Sequence, residues 1–323
     1  MKLEGHFNAL LKDTVNLSLP RLEKMESRAE SIYGALQDDS TVGPMVVKKT
    51  RQGSWAQGTI INPPAGKDFD ADFTLQLELQ EGWEPQDYLR AVRRALKDST
   101  IYGEMTLERK NRCVRVVYAN AFHVDVVPAV VQGAAEYIAN YETNSWELTN
   151  PDGFTVWMQE KDATAQSNLR RVIRLMKYVR HHRGFTGVRS IILTTLLGEQ
   201  VEASRKFADP GYYQDLPTAF THLICDLDDY IWPQIEQPSV ADPSGTGLTF
   251  DHRWLPGTYS NFRSRLHSIA ETTRAAFASS NRDESEELWR EIFGDRFTDG
   301  SKKTDPRPFA PTVTPGYVPG RAG

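Results

Sequence analysis

The stretch Gly53-Ser54-Trp55-Ala56-Gln57-Gly58-Thr59 leads through an Asn62-Pro63-Pro64-Ala65-Gly66-Lys67 loop. It is followed by Asp68-Phe69-Asp70-Ala71-Asp72-Phe73-Thr74-Leu75-Gln76-Leu77-Glu78-Leu79, and together they decide how the rest of the chain is read. Phe73, Leu75, Leu77 and Leu79 alternate with Thr74, Gln76 and Glu78, the period of a strand with one face in the core and one face wet. Counting backwards puts Asp68, Asp70 and Asp72 on the wet face. Carboxylates two residues apart on a strand point the same way, about 6–7 Å apart at the backbone. Their oxygens can converge on divalent ions about 3.5–4 Å apart, the spacing used for in-line phosphoryl displacement. Magnesium suits such a site, since it takes a few carboxylates and completes its shell with phosphate and water. An isolated D-x-D is most often an acidic turn before a strand. The Gly53-Ser54 turn upstream separates this case, because it offers backbone N–H groups and a hydroxyl to an NTP phosphate tail.

A phosphate turn followed by metal carboxylates at the start of a strand resembles the nucleotidyltransferase superfamily of the DNA polymerase β type, here through Gly53, Ser54, Asp70 and Asp72. That superfamily expects a third carboxylate on a neighbouring strand. The candidate is Asp125 in Phe122-His123-Val124-Asp125-Val126-Val127-Pro128-Ala129, a β-branched run in which Pro128 is expected to end the pairing. A charge inside an apolar strand needs a partner, so a metal or a cation is expected beside Asp125. His123 shares its face and reads as supporting.

The bulk properties exclude several classes. The 323 residues, 39% apolar and 25% charged, suit a soluble globular protein with a sizeable core. No run reaches the roughly 18 apolar residues of a membrane span, and Met1–Leu11 lacks a signal-peptide layout, so a cytoplasmic location is expected. Cys113 and Cys225 stand far apart, which indicates neither a disulfide framework nor a zinc site. A net charge of −5 speaks against holding long nucleic acid.

In chain order, a helix is expected over 17–36, with Ser18 as N-cap and an apolar stripe of Leu22, Met25, Ala29, Ile32 and Leu36. A strand over 46–51 delivers the Gly53-Ser54 turn. A helix opens at Glu84-Pro85, and short strands follow over 104–109 and 113–118. Trp146-Glu147-Leu148-Thr149-Asn150-Pro151 reads as a structured loop, either lining the nucleotide pocket or, as is commoner for such a loop, packing its Trp. The helix expected over 165–182 carries Arg170, Arg171, Arg174, Lys177, Arg180 and His181. Such charge runs are usually solvated faces, yet one member, Lys177, is assigned to a triphosphate. Ser190, as the capping residue of the next helix, offers a hydroxyl and free N–H groups to phosphate. Further helices are expected over 218–232, 259–280 and 284–293. From residue 298 a Pro/Gly-rich tail cannot build a core.

The set GSWAQGT, DFDADF, FHVDVVPA, LRRVIRLMKYVRHH and SEELWREIFGDRF resembles the bacterial CD-NTases, relatives of cyclic GMP–AMP synthase and oligoadenylate synthetase found in CBASS anti-phage operons. The resemblance spans roughly residues 15 to 297. It implies an α+β fold: a polymerase β-like nucleotidyltransferase sheet lobe over 1–160 with the long N-terminal helix, a helical lobe over 161–297, a cleft between them, and a flexible tail over 298–323. It implies Asp70, Asp72 and Asp125 as catalytic residues and ligands of two Mg2+ ions, with Mn2+ as the alternative. Gly53 and Ser54 would hold the donor phosphates, and Lys177 and Ser190 the triphosphate. Many relatives place an aromatic after that serine to stack on the base; here the position is Ile191.

The implied reaction joins NTPs, ATP among them, by 3′- or 2′-hydroxyl attack on an α-phosphate. Pyrophosphate leaves, and a cyclic di- or trinucleotide closes that signals to a downstream effector. The C-terminal Gly323 would suit conjugation by an E1/E2-like partner of the same operon. Two readings compete: a nucleotidyltransferase acting on RNA or tRNA or as a toxin, and a non-catalytic nucleotide-binding module. The first wants a basic RNA surface, and the second predicts a lost carboxylate.

Overall fold

The computed structural model of the protein describes residues 1–64, 67–119, 122–185, 187–254 and 256–300. Helix α1 (Glu4–Leu10) runs on through a π-helical turn over Leu11–Val15, and α2 (Leu19–Gln37) follows. Ser18 stands at the N-cap of α2 without a side-chain capping bond, and Met25, Ala29, Ile32 and Leu36 form its buried stripe. Strand β1 (Val46–Gln52) feeds the short helix α3 (Gly53–Ala56), and β2 (Phe69–Leu77) is the acidic strand. The buried side of β2 is Phe69, Ala71, Phe73, Leu75 and Leu77, as the alternation requires.

Helix α4 (Pro85–Asp98) opens with a capping box between Glu84 and Asp87. Then come β3 (Leu107–Arg109), β4 (Val114–Tyr118), β5 (Phe122–Gln132), β6 (Ala135–Asn140) and β7 (Ser145–Thr149). The sheet order is β1-β2-β5-β4-β3, and β6 joins the far end of β5 with β7 beyond it. The β2–β5 pair is parallel, while β1–β2, β4–β5 and β5–β6 are antiparallel.

Two expectations are corrected here. Pro128 does not end the pairing of β5: it stands opposite Leu75, and Ala129 to Gln132 go on to pair with β6. Proline lacks only its own donor, so one gap in the ladder is tolerated where the strand changes partners. Trp146 to Thr149 is strand, not loop. Its Trp146 ring packs edge-on against Tyr88 of α4 at 5.2 Å, away from the cleft that Thr149, Asn150 and Pro151 do line.

The helical part comprises α5 (Pro151–Thr164), α6 (Leu169–His182), α7 (Ser190–Glu199), α8 (Ala203–Ala208), α9 (Leu216–Ile231), α10 (Pro256–Ala278) and α11 (Arg282–Phe293). Buried side chains gather in two clusters, one on the sheet with α2 and α4 and one among the helices. The N-terminal residues Phe7, Leu10, Leu11 and Val15 belong to the helical cluster, as do Phe154 and Met158 of α5. Phe7 meets Trp289, Phe293 and Phe297 edge-on at 4.9, 5.3 and 5.2 Å. The aromatics of the WREIFGDRF run are therefore core, and burying each is worth about 1.5–3 kcal/mol.

The basic run of α6 is not a solvated face. Arg170 pairs with the buried Asp162 at 3.2 Å, Arg174 donates to the Gly58 carbonyl at 2.6 Å, and Lys177 and Arg180 are themselves buried. Cys113 and Cys225 are free thiols.

Candidate active site

One row of residues crosses the sheet and builds the site. Gln52 on β1 stands opposite Asp72 on β2, Asp72 opposite Asp125 on β5, and Asp125 opposite Arg115 on β4. Residues directly opposite in neighbouring strands share a face, about 4.8 Å apart from strand to strand. The row therefore delivers the start of the Gly53-Ser54 turn, two carboxylates and a guanidinium to one place. Asp70, two residues before Asp72, lies on the same face opposite His123.

Gly53 turns the chain from β1 into α3 with φ +62°, in the left-handed region. A Cβ there would come within 2.9 Å of Asp72 Oδ2. Both facts demand glycine, one for the backbone and one for the close approach. We expect Gly53→Ala to lose about 1–3 kcal/mol of stability from backbone strain alone, read as a lower thermal midpoint. An unchanged midpoint would reject the strained backbone, and unchanged synthesis would reject the close approach to Asp72.

Asp125 is 6% exposed. The partner expected for it is Arg115, whose Nε and Nη2 each donate at 2.8 Å to one carboxylate oxygen. The same Nη2 lies 3.3 Å from Asp70 Oδ1. Sequence reasoning did not single out Arg115. Its only signal was a lone cation in a short strand paired with the strand that carries a lone carboxylate. Asp72 is half-buried, and its pKa is pushed up to about 7 by burial and then by the Asp125 and Asp70 charges. Asp70 is raised mainly by burial, against the pull of Arg115. His123 Nε2 sits 3.3 Å from Asp68 Oδ2.

Three hard oxygen donors with one guanidinium among them leave an excess of negative charge, which the raised Asp72 registers. A divalent cation would relieve that excess, and oxygen donors of this kind suit a hard cation. These three carboxylates do not bring ligand atoms as close together as a second group does. Asp228, His267 and Glu271 bring ligand atoms within 4.8 Å of one another, but Arg274 already lies 3.3 Å from Asp228 and 2.6 Å from Glu271.

The carboxylates open on a cleft of about 1050 Å³ whose walls include Gly53, Ser54, Asp70, Asp72, Lys177, Ser190 and Ile191. Asp125 lies beneath this surface. Lys177 Nζ donates to the carbonyl and hydroxyl of Thr59 at 3.0 and 2.9 Å, and Thr59 N donates to Ser54 O at 2.9 Å. Helix α6 therefore holds the Gly-Ser turn through Thr59. An ammonium has three donors, so one remains for a ligand. Burial lowers the pKa of Lys177 to about 7, with Arg180 and Arg174 adding to the shift.

Ser190 does not cap α7. Arg189 holds the N-cap position, Ser190 is the first helical residue, and its Oγ accepts from Arg180 Nη1 at 3.0 Å. Arg180 and His181 also line the cleft. Burial and the neighbouring cations press His181 down to about 4, so it stays neutral and its Nε2 lies 2.9 Å from Arg180 Nη2. Phe250 and Arg253 enter from a distant loop and add an aromatic and a cation; nothing local in the sequence marked them.

A mixed sheet with a glycine-serine turn and three carboxylates at one edge of a cleft, closed by a helical layer, defines a nucleotidyltransferase of the polymerase β type. The chain belongs to the family whose model is the Second Messenger Oligonucleotide or Dinucleotide Synthetase domain, which matches residues 1–162. It is an enzyme that makes a nucleotide second messenger.

Among its relatives is a cyclic AMP-AMP-AMP synthase of Acinetobacter sp., 24% identical over 314 residues that cover 92% of this chain and 86% of the relative. A c-di-GMP synthase of Roseivirga ehrenbergii is 24% identical over 303 residues, 81% of this chain and 76% of the relative. The fold is that of the Vibrio cholerae DncV cyclic AMP-GMP synthase solved with the linear intermediate 5′ pppA(3′,5′)pG. That structure gives a TM-score of 0.70 at 16% identity, over 92% of this chain and 97% of that one.

Proposed function

We propose that this chain binds nucleoside triphosphates, ATP among them, in the central cleft and joins them by hydroxyl attack on an α-phosphate, with loss of pyrophosphate. The linear product is held for a second attack that closes a cyclic di- or trinucleotide. The observation that carries this is the row Gln52–Asp72–Asp125–Arg115, which ties the phosphate turn to the acidic residues across adjacent strands. The stepwise order is supported by the linear intermediate held by the Vibrio cholerae relative.

Asp70, Asp72 and Asp125 would hold two Mg2+ ions, or Mn2+ in their place. Bound there, the ions supply charge neutralisation at the α-phosphate and a lowered pKa for the attacking hydroxyl. The chain's own groups orient the reactants. The Gly53-Ser54 turn and the free donor of Lys177 grip the donor phosphates, and Ser190 with Arg180 bounds the triphosphate from the helical side. With both Asp125 oxygens engaged by Arg115, Asp72 is the better proton acceptor of the set before an ion binds.

Residues 1–160 then act as the nucleotidyltransferase lobe and 161–297 as the helical lobe; the two apolar clusters follow that division except at α1, the π-helical turn after it and α5, whose buried residues pack with the helices. No helix among the described residues is long and apolar enough to cross a membrane. We place the enzyme in the cytoplasm, in anti-phage defence. Gly323, the residue assigned to conjugation by an E1/E2-like partner, lies outside the described residues.

The test is incubation with labelled ATP, GTP, CTP and UTP and Mg2+, followed by resolution of phosphatase-resistant products. A resistant product that needs magnesium is expected; label transferred only to added tRNA would sink the reading. A second expectation concerns Lys177→Met. Loss of one charge-assisted contact of about 1.5–3 kcal/mol should raise KM for the nucleotide about 10–100-fold.

The same variant should also show its effect on stability through pH. The wild-type ammonium binds its proton near pH 7 when folded and near 10.5 when unfolded, so the unfolded state holds more protons between those values. Wild-type stability therefore rises with pH across that window. The variant's thermal gain over wild type should be full below pH 7 and should fade toward pH 10.5. A gain that grows with pH would refute the buried charge.

A further inference from the structure

A second concavity of about 560 Å³ lies apart from the catalytic cleft and shares no lining residue with it. Its walls are Arg90, Arg93, Arg94 and Lys97 of α4, Arg109 of β3 and Tyr141, with Asp98 as the single carboxylate. This is a dense positive charge on a chain whose net charge is −5.

The arrangement runs against the needs of the helix. The buried face of α4 is Tyr88, Leu89, Ala91, Val92, Ala95 and Leu96, so packing leaves the outer face free to carry any polar residue. A helix gains when opposite charges stand three or four residues apart and loses when like charges do. Here Arg90 and Arg94, Arg93 and Lys97, Arg90 and Arg93, and Arg94 and Lys97 are all like pairs at those spacings. The helix dipole favours only the last of them, Lys97, at the C-terminal end.

Three of the cations are held in place, Lys97 by donating to the Gly103 carbonyl. Arg90 donates to Asp87 and Gln86 at 2.9 and 2.6 Å, and its guanidinium lies 5.4 Å from the centre of the Tyr141 ring. Arg109 stacks on the same ring at 3.5 Å. Arg93 and Arg94 are exposed, and no hydrogen bond or ion pair to a described residue engages either. A rigid aromatic floor, two fixed guanidinium groups and two uncommitted ones form a fork for phosphate oxygens, which guanidinium groups bind bidentately. The volume is that of a small-molecule pocket, and the overall negative charge disfavours a long strand.

We propose that this groove binds a small anion carrying two or more phosphate groups, either a free nucleoside polyphosphate or a cyclic oligonucleotide. The site goes beyond the catalytic reading and does not depend on it.

The experiment is hydrogen–deuterium exchange on the full chain. Sodium tripolyphosphate, ATP, cyclic tri-adenylate and a short single-stranded RNA are added separately. Slowed exchange by several-fold in residues 90–98 and 107–109 is expected with at least one of the first three. Tripolyphosphate and ATP together point to a nucleotide source, and cyclic tri-adenylate alone to a product source. The slowing should vanish in Arg93→Glu/Arg94→Glu, while any slowing at residues 53–59 in the cleft is retained. The Glu residues turn four repulsive pairs into attractive ones against one new repulsion, Glu at 94 with Asp98, so the variant's melting temperature should not fall; Arg93→Gln/Arg94→Gln serves if it does. No slowing with any small probe, slowing that survives both double variants, or slowing with RNA alone overturns the proposal.

Discussion

Asp72→Asn should abolish product formation, by roughly 10³-fold or more, which is about 4 kcal/mol of transition-state stabilisation. The residue sits at the centre of the row across the sheet, opposite Asp125 and so close to Gly53 that a Cβ there would meet its Oδ2 at 2.9 Å. Its carboxyl, pushed up to about 7 by burial and two neighbouring charges, costs the ion-free protein stability. The sign follows from the two pKa values. The unfolded carboxyl loses its proton near 3.8 and the folded one near 7, so between them the folded state holds more protons and wild-type stability falls as pH rises. With chelator present, Asp72→Asn should therefore melt higher than wild type at pH 7 and above, and the difference should shrink toward pH 4. Added Mg2+ should raise the wild-type midpoint by mass action and leave the variant's unmoved. A variant that keeps a tenth of the activity, or that melts lower than wild type at pH 7.5 with chelator, would contradict the site.

Arg115→Met should be the most destabilising single change near the cleft. It leaves Asp125, 6% exposed, as a buried carboxylate with no cation hydrogen-bonded to it, only the Cys113 thiol. Removing one member of a buried pair costs about 3–5 kcal/mol. The loss is read in chemical denaturation as a lower midpoint at constant slope. Arg115→Lys keeps the charge but cannot present two parallel donors, so it should fall between wild type and Arg115→Met.

Adding Asp125→Asn to Arg115→Met should recover part of the loss, because the uncompensated charge is gone; the shortfall from additivity measures the pair. Magnesium should raise the midpoint of Arg115→Met more than that of wild type, since a cation then fills the role of the guanidinium. Equal magnesium responses in the two proteins would show that Arg115 plays no part in positioning the acidic residues.

How much was legible in the sequence follows from the range of each interaction. The strand at 69–77 was readable because side-chain alternation is a local property of extended backbone, and Asp70 and Asp72 came with it. The stripes of α2 and α6 were readable for the same reason at the helical period. Trp146 was misread because a five-residue edge strand has too few residues to show a period, and its Trp looked like a loop residue until Tyr88 was beside it. Pro128 was misread because the rule against proline in strands assumes one partner throughout, and β5 changes partners there. Serine favours the cap position, which is what the local sequence shows at Ser190, whereas Arg180 claims its hydroxyl from ten residues away.

From the sequence alone came the acidic strand, the glycine that must turn beside it, the helical stripes and the family they resemble. All of these are carried by residues within a few positions of one another, where backbone geometry dictates which side chains share a face. Only the tertiary structure placed Arg115 against Asp125, Lys177 under Thr59, Phe250 and Arg253 in the cleft, and five cations around Tyr141. Those pairings depend on strand order and on the docking of helices far apart in the chain. Burial and charge neutralisation choose among them only after the chain has closed on itself.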